Sequence, residues 1–181
     1  VNAMEVAIDE ECSRILARRQ PAAGDLRLII ATFKAITDLE RIGDEATRIA
    51  RVACELIGTE MLQKPLREID LMARVVADIL HRALDAFARM DSDTALAITR
   101  MDERVNRDYR ALIRQCTSIM SQDSQAIEKV LDLIWAVRAL ERVGDHSQNI
   151  AELIVFFVHG KDIRHELPDE DGAAEESRDT T

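Results

Sequence analysis

The sequence is poor in the residues that mark β-rich and membrane-spanning proteins. Aromatic residues make up 3% of its 181 residues, which include only six glycines and three prolines. A β-sandwich needs frequent turns and aromatic strand residues, so this composition argues against one and favours long helices. The 181 residues contain no run of about 18 apolar residues and no signal-peptide pattern, and therefore no predicted membrane span.

Cysteine is also scarce, and its placement argues against a disulfide framework. The three cysteines lie in helix-like segments and form no C-x-x-C pair: Cys12, Cys54 and Cys116. This pattern is typical of reduced, buried thiols in a cytosolic protein.

Net charge is −10, and half of it lies in one segment. Residues 168–181 carry six acidic residues and one basic residue. The remaining charge is still negative, which argues against non-specific nucleic-acid binding because that requires clustered Lys and Arg.

One six-residue segment occurs twice, 101 positions apart, with a single residue changed. Residues 39–44 read Leu-Glu-Arg-Ile-Gly-Asp, and residues 140–145 read Leu-Glu-Arg-Val-Gly-Asp. A second pair of matches, Val1-Asn2 with Val105-Asn106, lies at an offset of 104. Two matches at nearly one offset indicate a duplicated structural unit.

Apolar residues at steps of three and four predict an all-α bundle. The predicted helices are 1–19, 25–57, 65–90, 94–120 and 124–158, and the short breaks between them imply antiparallel neighbours. The unique Trp135 and Tyr109 fall on seam positions and are expected in the core. The second unit would thus have three helices and the first only two, so we expect one and a half further helices upstream of Val1.

Each motif copy places two carboxylates at i and i+4, and hairpin geometry brings further oxygen-bearing side chains to the same height. The turn near 22–23 would place Glu5 opposite Glu40, with Asn2 one turn away. The turn near 122–123 would place positions 104 and 100 opposite the second acidic pair, with Asp102 and Asn106 within a turn. Oxygen ligands of this kind favour hard cations such as Mg²⁺, Ca²⁺ or Mn²⁺, with iron also compatible.

The same residues have a simpler interpretation. Acids at i and i+4 on long helices usually form a solvated face, and Arg41 and Arg142 could pair with them. Duplication of the whole hexapeptide favours a shared role, and a glycine in mid-helix, Gly43 or Gly144, suggests a close approach of another helix. We expect Glu141 and Asp145 to be exposed. His146 has Glu45 at its equivalent position, which argues against a phosphotransfer histidine.

Beyond these patterns, the chain resembles a known family. Glu-Arg-Ile-Gly-Asp at 40–44, preceded by Arg-Gln-Pro at 19–21, and Glu-Arg-Val-Gly-Asp-His-Ser-Gln-Asn-Ile at 141–150 closely resemble the PhoU family of phosphate-signalling regulators, in particular its proteobacterial branch. The resemblance covers residues 1 to about 166.

The resemblance implies two tandem three-helix bundles. Residues 1–57 would be a first repeat lacking its first helix and part of its second, 65–160 a second repeat, and 161–181 a C-terminal segment with an acidic tail. It also implies surface metal clusters, of Mg, Mn, Fe, Ca or Zn, on Glu/Asp-x-x-x-Asp motifs. The metal-site residues carried over are Glu5, Asp9, Glu40, Asp44, Asp102, Asn106, Glu141 and Asp145.

The function implied is that of a cytoplasmic, non-enzymatic negative regulator of phosphate uptake and phosphate-starvation signalling. Its partners would be the ATPase of the phosphate ABC transporter and a sensor histidine kinase, which would bring it to the membrane periphery, and it could form a homodimer. The rival class is a metal-dependent oxidase or phosphohydrolase, which would need a pocket with open metal positions beside the acids.

Overall fold

The computed structural model describes residues 1–56, 62–99 and 101–160, except for the side chain of Asp102. No strand occurs in those three ranges, so the all-α prediction is confirmed. The predicted tail at 161–181 and the end of the first repeat at residue 57 lie outside them. The elements are α1 (Asn2–Arg19), α2 (Ala23–Glu55), α3 (Gln63–Arg89), α4 (Ser92–Thr99), α5 (Asp102–Gln122), a 3-10 turn (Ser124–Ala126) and α6 (Ile127–His159).

Helix ends fall at the breaks expected from the sequence. Gln20 ends α1 and Met90 ends α3, both in the left-handed backbone conformation, with φ of 46° and 53°. The Asp91 carboxylate then accepts hydrogen bonds from the backbone N–H groups of Asp93 and Thr94, which satisfies donors at the start of α4.

The single helix predicted at 94–120 is wrong, because the chain turns between α4 and α5. Thr99 ends α4 and its hydroxyl donates to the Leu96 carbonyl, while the backbone N–H of Met101 donates to the Ile98 carbonyl at 2.8 Å. Ile98 before the turn and Val105 after it are both fully buried. Apolar periodicity therefore continues through the break, and for that reason periodicity alone could not reveal it.

The longest helices, α2 and α6, pack against each other in antiparallel directions along most of their length. Near the start of α2, Ala31 and Ala35 pack with Leu153 of α6. Near its end, the Lys129 ammonium of α6 donates to the Glu55 carbonyl at 3.2 Å. The first repeat is thus packed against the second through its longest helix.

The core is centred on α6, which contacts α2, α3, α4 and α5. Among the described helices, none contains a stretch of the length and hydropathy that a bilayer span requires. The main core cluster joins residues of five helices, among them Ile42, Met72, Val76, Ile98, Leu112, Val137, Val143 and Ile154.

Two side-chain predictions are wrong. Trp135, expected in the core, is 58% exposed on α6, whereas Tyr109 packs against the core as expected. Cys54, which was expected to be buried, is exposed, while Cys12 and Cys116 are buried as expected. Burial raises the pKa of both buried thiols, and the carboxylates of Asp9 and Glu11 add to this effect at Cys12.

Candidate functional site

The two motif copies lie at the interface between α2 and α6. Their central apolar residues, Ile42 and Val143, are both 7% exposed and belong to one core cluster. Because the helices are antiparallel, the residues flanking one copy meet those flanking the other. The sequence did not predict this arrangement, in which the duplicated segment holds the two repeats together.

A buried ion pair joins the repeats on one side of these apolar residues. Glu45 is only 3% exposed, and its Oε1 lies 2.9 Å from Nη1 of Arg142 on α6. Its Oε2 accepts a hydrogen bond from Arg48, one turn further along α2, also at 2.9 Å. Both carboxylate oxygens thus have a cationic partner, as a buried carboxylate requires.

A second polar contact joins the repeats on the other side. Nδ1 of His146 lies 2.8 Å from Oδ1 of Asp38, and the Asn149 amide donates to the same oxygen at 3.2 Å. His146 is therefore half-buried and held by α2, which fits a structural role. The two contacts are not related by the repeat, because Glu45 and His146 occupy equivalent positions in the two copies but differ in residue type.

The two glycines of the motif mark where the preceding helix of each hairpin makes contact. A Cβ added at Gly43 would lie 3.3 Å from Cγ2 of Val1, and one added at Gly144 would lie 3.4 Å from Cγ1 of Val105. The duplicated valines thus meet the duplicated glycines. The close approach predicted from these glycines is present in both repeats.

The Val1–Gly43 contact fixes the height of the first set of acids. Counting along both helices from it, Glu5 lies level with Glu40, as predicted. Asp9 lies about 12 Å along α1 from Val1, and so farther from Asp44. The Oδ1 atom of Asp9 is buried and has no hydrogen-bond partner among the described residues.

The second set of acids, Glu141 and Asp145, lies one helical turn away from its predicted register against α5. Because Val105 contacts Gly144, Arg104 lies level with Asp145, rather than position 100. Helix α5 continues to Gln122 and the 3-10 turn follows it, so the turning point comes later than the sequence suggested. Asn106 now lies between the heights of Glu141 and Asp145, and Asp102 lies within one turn of Asp145 but about 9 Å along the helix from Glu141.

The expected exposure of Glu141 is wrong. This residue is 8% exposed, and its Oε1 accepts a hydrogen bond from Arg138 at 2.9 Å. Asp145 was also expected to be exposed but is half-buried, and burial raises its pKa, although the electrostatic effects of Arg138, His146 and Arg142 act in the opposite direction. The neighbouring side chains thus offset only part of the cost of burying the ionised Asp145 carboxylate.

Arginines are close to both motif copies. Nε of the exposed Arg41 lies 3.7 Å from Oε2 of the largely buried Glu40, while Arg142 points across to the other repeat. Within the described side chains, no group of three or more His, Cys, Asp or Glu residues could hold a metal ion. The metal-ligand assignments remain predictions, and the second set includes the undescribed side chain of Asp102.

Sequence reasoning missed the residues that join the repeats: Asp38, Glu45, Arg142, His146 and Asn149. One signal was available, because alignment of the two copies places a carboxylate at 45 and an imidazole at 146. Such a difference at equivalent positions breaks the repeat symmetry. The carboxylate at 45 pairs with Arg142 of the other copy, whereas the imidazole at 146 contacts the Asp38 carboxylate.

Comparison with known proteins agrees with this duplicated architecture. The family model of the PhoU domain matches residues 1–53 and 69–154. The phosphate-specific transport system accessory protein PhoU homolog of Pseudomonas aeruginosa is 50% identical over 165 residues, covering 91% of this chain and 68% of the relative. PhoU of Escherichia coli K12 is 46% identical over 170 residues, covering 94% and 70%.

Solved structures show the same fold. The crystal structure of PhoU from Pseudomonas aeruginosa matches with a TM-score of 0.85 and 49% identity, covering 88% of this chain and 77% of that one. The phosphate transport system regulatory protein PhoU from Streptococcus pneumoniae matches with a TM-score of 0.81 and 27% identity, covering 89% and 75%. The chain therefore belongs to the PhoU family.

Proposed function

We propose that this protein is a negative regulator of phosphate uptake and phosphate-starvation signalling, acting by binding rather than by catalysis. Its relatives are named as accessory proteins of the phosphate-specific transport system, and a structural neighbour is named as a regulatory protein of that system. One observation on this chain carries the proposal furthest. The two motif copies are packed back to back, which fixes the relative position of the two repeats and of their carboxylate surfaces.

Two similar surfaces held rigidly can bind two partners at once. We assign these partners as the ATPase of the phosphate ABC transporter and a sensor histidine kinase, both reached from the cytoplasm. Rigid presentation favours such an adaptor, because little conformational entropy is lost on binding. A homodimer would be compatible with this role.

The carboxylate surfaces are also proposed to bind metal ions. Their donor set is carboxylate and amide oxygen, which suits hard divalent cations and carboxylate-bound iron. The orphaned Oδ1 of Asp9 and the raised pKa of Asp145 support the proposal, since a cation would satisfy the first and favour the ionised form of the second. Bound metal would compete with Arg41 for Glu40 and with Arg138 for Glu141, and would reduce the negative charge offered to a partner.

The enzyme alternative lacks a comparable observation. Four surface grooves in the described part of the chain are lined by none of the four motif acids Glu40, Asp44, Glu141 and Asp145. One of these grooves lies beside the Asp38–His146 pair, between Phe33 and Leu153. It is an open groove whose lining includes Lys34, so it offers no cluster of acids for a catalytic metal.

A reporter of phosphate starvation tests the function. In a strain that lacks the protein, wild-type protein should restore repression of an alkaline-phosphatase-type reporter in high phosphate. Isosteric amides should impair it, in the variants Glu40→Gln with Asp44→Asn and Glu141→Gln with Asp145→Asn. Amides are preferred to alanine because Glu141 is buried and its truncation would leave a cavity.

A matched control carries the same charge change on exposed acids of α3, Asp70→Asn with Asp78→Asn. We expect the control to repress fully and both motif variants to repress partially, with lower metal content in the purified proteins. If the folded motif variants repress like the wild type, the motif is only a packing device and the regulatory surface lies elsewhere.

A further inference from the structure

Helix α5 carries a stripe of arginines without acidic partners. Arg107, Arg110 and Arg114 are exposed, and their spacing of three and four residues places them on one face, opposite the buried Val105 and Leu112. None of the three forms an ion pair with an acidic side chain in the described part of the chain.

The stripe is a local concentration of positive charge in a chain with 34 acidic and 24 basic residues. On other helices Arg14, Arg74 and Arg89 each pair with an acid one turn away, whereas the exposed Arg18, Arg19 and Arg51 form no ion pair among the described residues. On α5 itself, Arg104 pairs with Asp108, but Arg110 and Arg114 have no acid three or four residues away. Glu103, the one acid at that spacing from Arg107, is exposed and does not pair with it among the described contacts.

A segment of opposite charge occurs later in the same chain. Residues 169–176 contain five acids and no base, and they lie beyond the region that the PhoU family model matches. This segment therefore has a net charge of −5, against +3 on the arginine stripe. Electrostatic attraction between two such groups is expected wherever the chain allows them to meet.

The chain length allows them to meet. The Val105–Gly144 contact places Arg107 about 27 Å, and Arg114 about 38 Å, along α6 from Gly160. An extended chain advances about 3.3 Å per residue, so Asp169 can lie up to about 30 Å from Gly160 and Glu176 up to about 53 Å. The acidic segment is therefore long enough to reach the arginines of the stripe.

We propose that residues 169–176 bind to the arginine stripe of α5 within the same molecule. The acidic segment then covers the positive surface and competes with any acidic protein that would bind there. The contact is made between exposed charges, so it is sensitive to salt: the Debye length falls from about 10 Å at 0.1 M to about 3 Å at 1 M salt. This self-contact is independent of the phosphate-regulatory function proposed above.

The single, exposed tryptophan provides a direct measurement. Trp135 of α6 lies at the height of Arg114, as counted from the same Val105–Gly144 contact. A fluorescent acceptor is attached to Ala174→Cys in a Cys54→Ser background, which removes the one exposed native thiol. We expect energy transfer from Trp135 at low salt and its loss in about 0.5 M salt, where the Debye length falls below about 5 Å.

Charge variants decide whether the stripe is responsible. Arg107→Gln with Arg110→Gln and Arg114→Gln should abolish the salt-sensitive transfer. Removing three exposed arginines elsewhere, Arg18→Gln with Arg19→Gln and Arg51→Gln, should preserve it. Neutralising the segment itself, by Asp169→Asn, Glu170→Gln and Asp171→Asn, should also abolish it and cannot unfold the bundle through α5.

Three results would overturn the proposal. The first is transfer that does not change with salt, and the second is equal loss in the stripe and control variants. The third is a fall in transfer when labelled protein is diluted into excess unlabelled protein, because the segment would then bind a second copy or another surface in trans.

Discussion

Removing the buried carboxylate of Glu45 should destabilise the protein by about 2–3 kcal/mol. Glu45→Ala deletes an ion pair with Arg142 of the other repeat and a charge-assisted hydrogen bond from Arg48, each at 2.9 Å. Hydrogen bonds to charged groups contribute about 1.5–3 kcal/mol each. Because the arginine side chains are 40% and 45% exposed, they regain water in the variant, and the loss of stability falls below the sum of the two interactions.

Urea unfolding followed by circular dichroism measures this loss, provided that the transition is two-state. The matched control is Asp70→Ala, which breaks an exposed pair on α3 and should cost less than about 1 kcal/mol. A double-mutant cycle of Glu45→Gln with Arg142→Gln isolates the contact between repeats, with an expected coupling of about 1–2 kcal/mol. Equal losses in Glu45→Ala and Asp70→Ala would refute the conclusion that this pair holds the repeats together.

Three further predictions concern glycine, pH and thiol reactivity. Gly144→Ala should be neutral or stabilise the protein by up to about 1 kcal/mol, because its Cβ meets Val105 at an ordinary contact distance, whereas Gly144→Leu should cost about 1–3 kcal/mol in the same urea assay. Asp145→Asn should stabilise the protein near neutral pH, because the raised pKa of Asp145 makes its ionised form unfavourable in the folded state. The gain in stability should shrink as the pH falls towards 3.8, and a gain that is independent of pH would contradict this. A thiol reagent should modify Cys54 rapidly in the native protein and Cys12 and Cys116 only on unfolding, and rapid modification of all three would show that the two buried thiols are accessible.

The helices and their ends were predictable because local chemistry specifies them. Helix period and the Asp91 and Asp123 breaks predicted most boundaries to within a few residues. The turn at Met101 was missed because Ile98 and Val105 continue the apolar period on both sides of it.

Features that depend on packing between distant segments were not predictable in the same way. The one-turn shift of the second acidic pair follows from the 3-10 turn after α5, which the sequence does not mark with glycine or proline. Trp135 looked like a core residue because its seam position says nothing about whether another helix covers that face of α6. The pairing of Glu45 could not be predicted because its partner, Arg142, is distant in sequence.

Duplication was the most informative sequence feature, but its meaning changed with the structure. The repeated carboxylates suggested metal surfaces, whereas the residues between and beside them form the interface of the two repeats. Ile42 and Val143 belong to the same core cluster, and Glu45 pairs with Arg142 of the opposite repeat. A motif can thus be kept for packing and for binding together, which is why substitutions of it need isosteric variants and stability controls.

Binding of the two proposed partners to purified protein tests the central claim most directly. Titration calorimetry would compare wild-type protein with Glu40→Gln/Asp44→Asn and Glu141→Gln/Asp145→Asn, against the transporter ATPase and the cytoplasmic part of the sensor kinase, with and without chelator. We predict that each motif variant, though folded, loses at least about tenfold in affinity for one of the two partners, about 1.4 kcal/mol, and that chelator weakens the wild type similarly. Wild-type affinity of both variants for both partners would contradict the account.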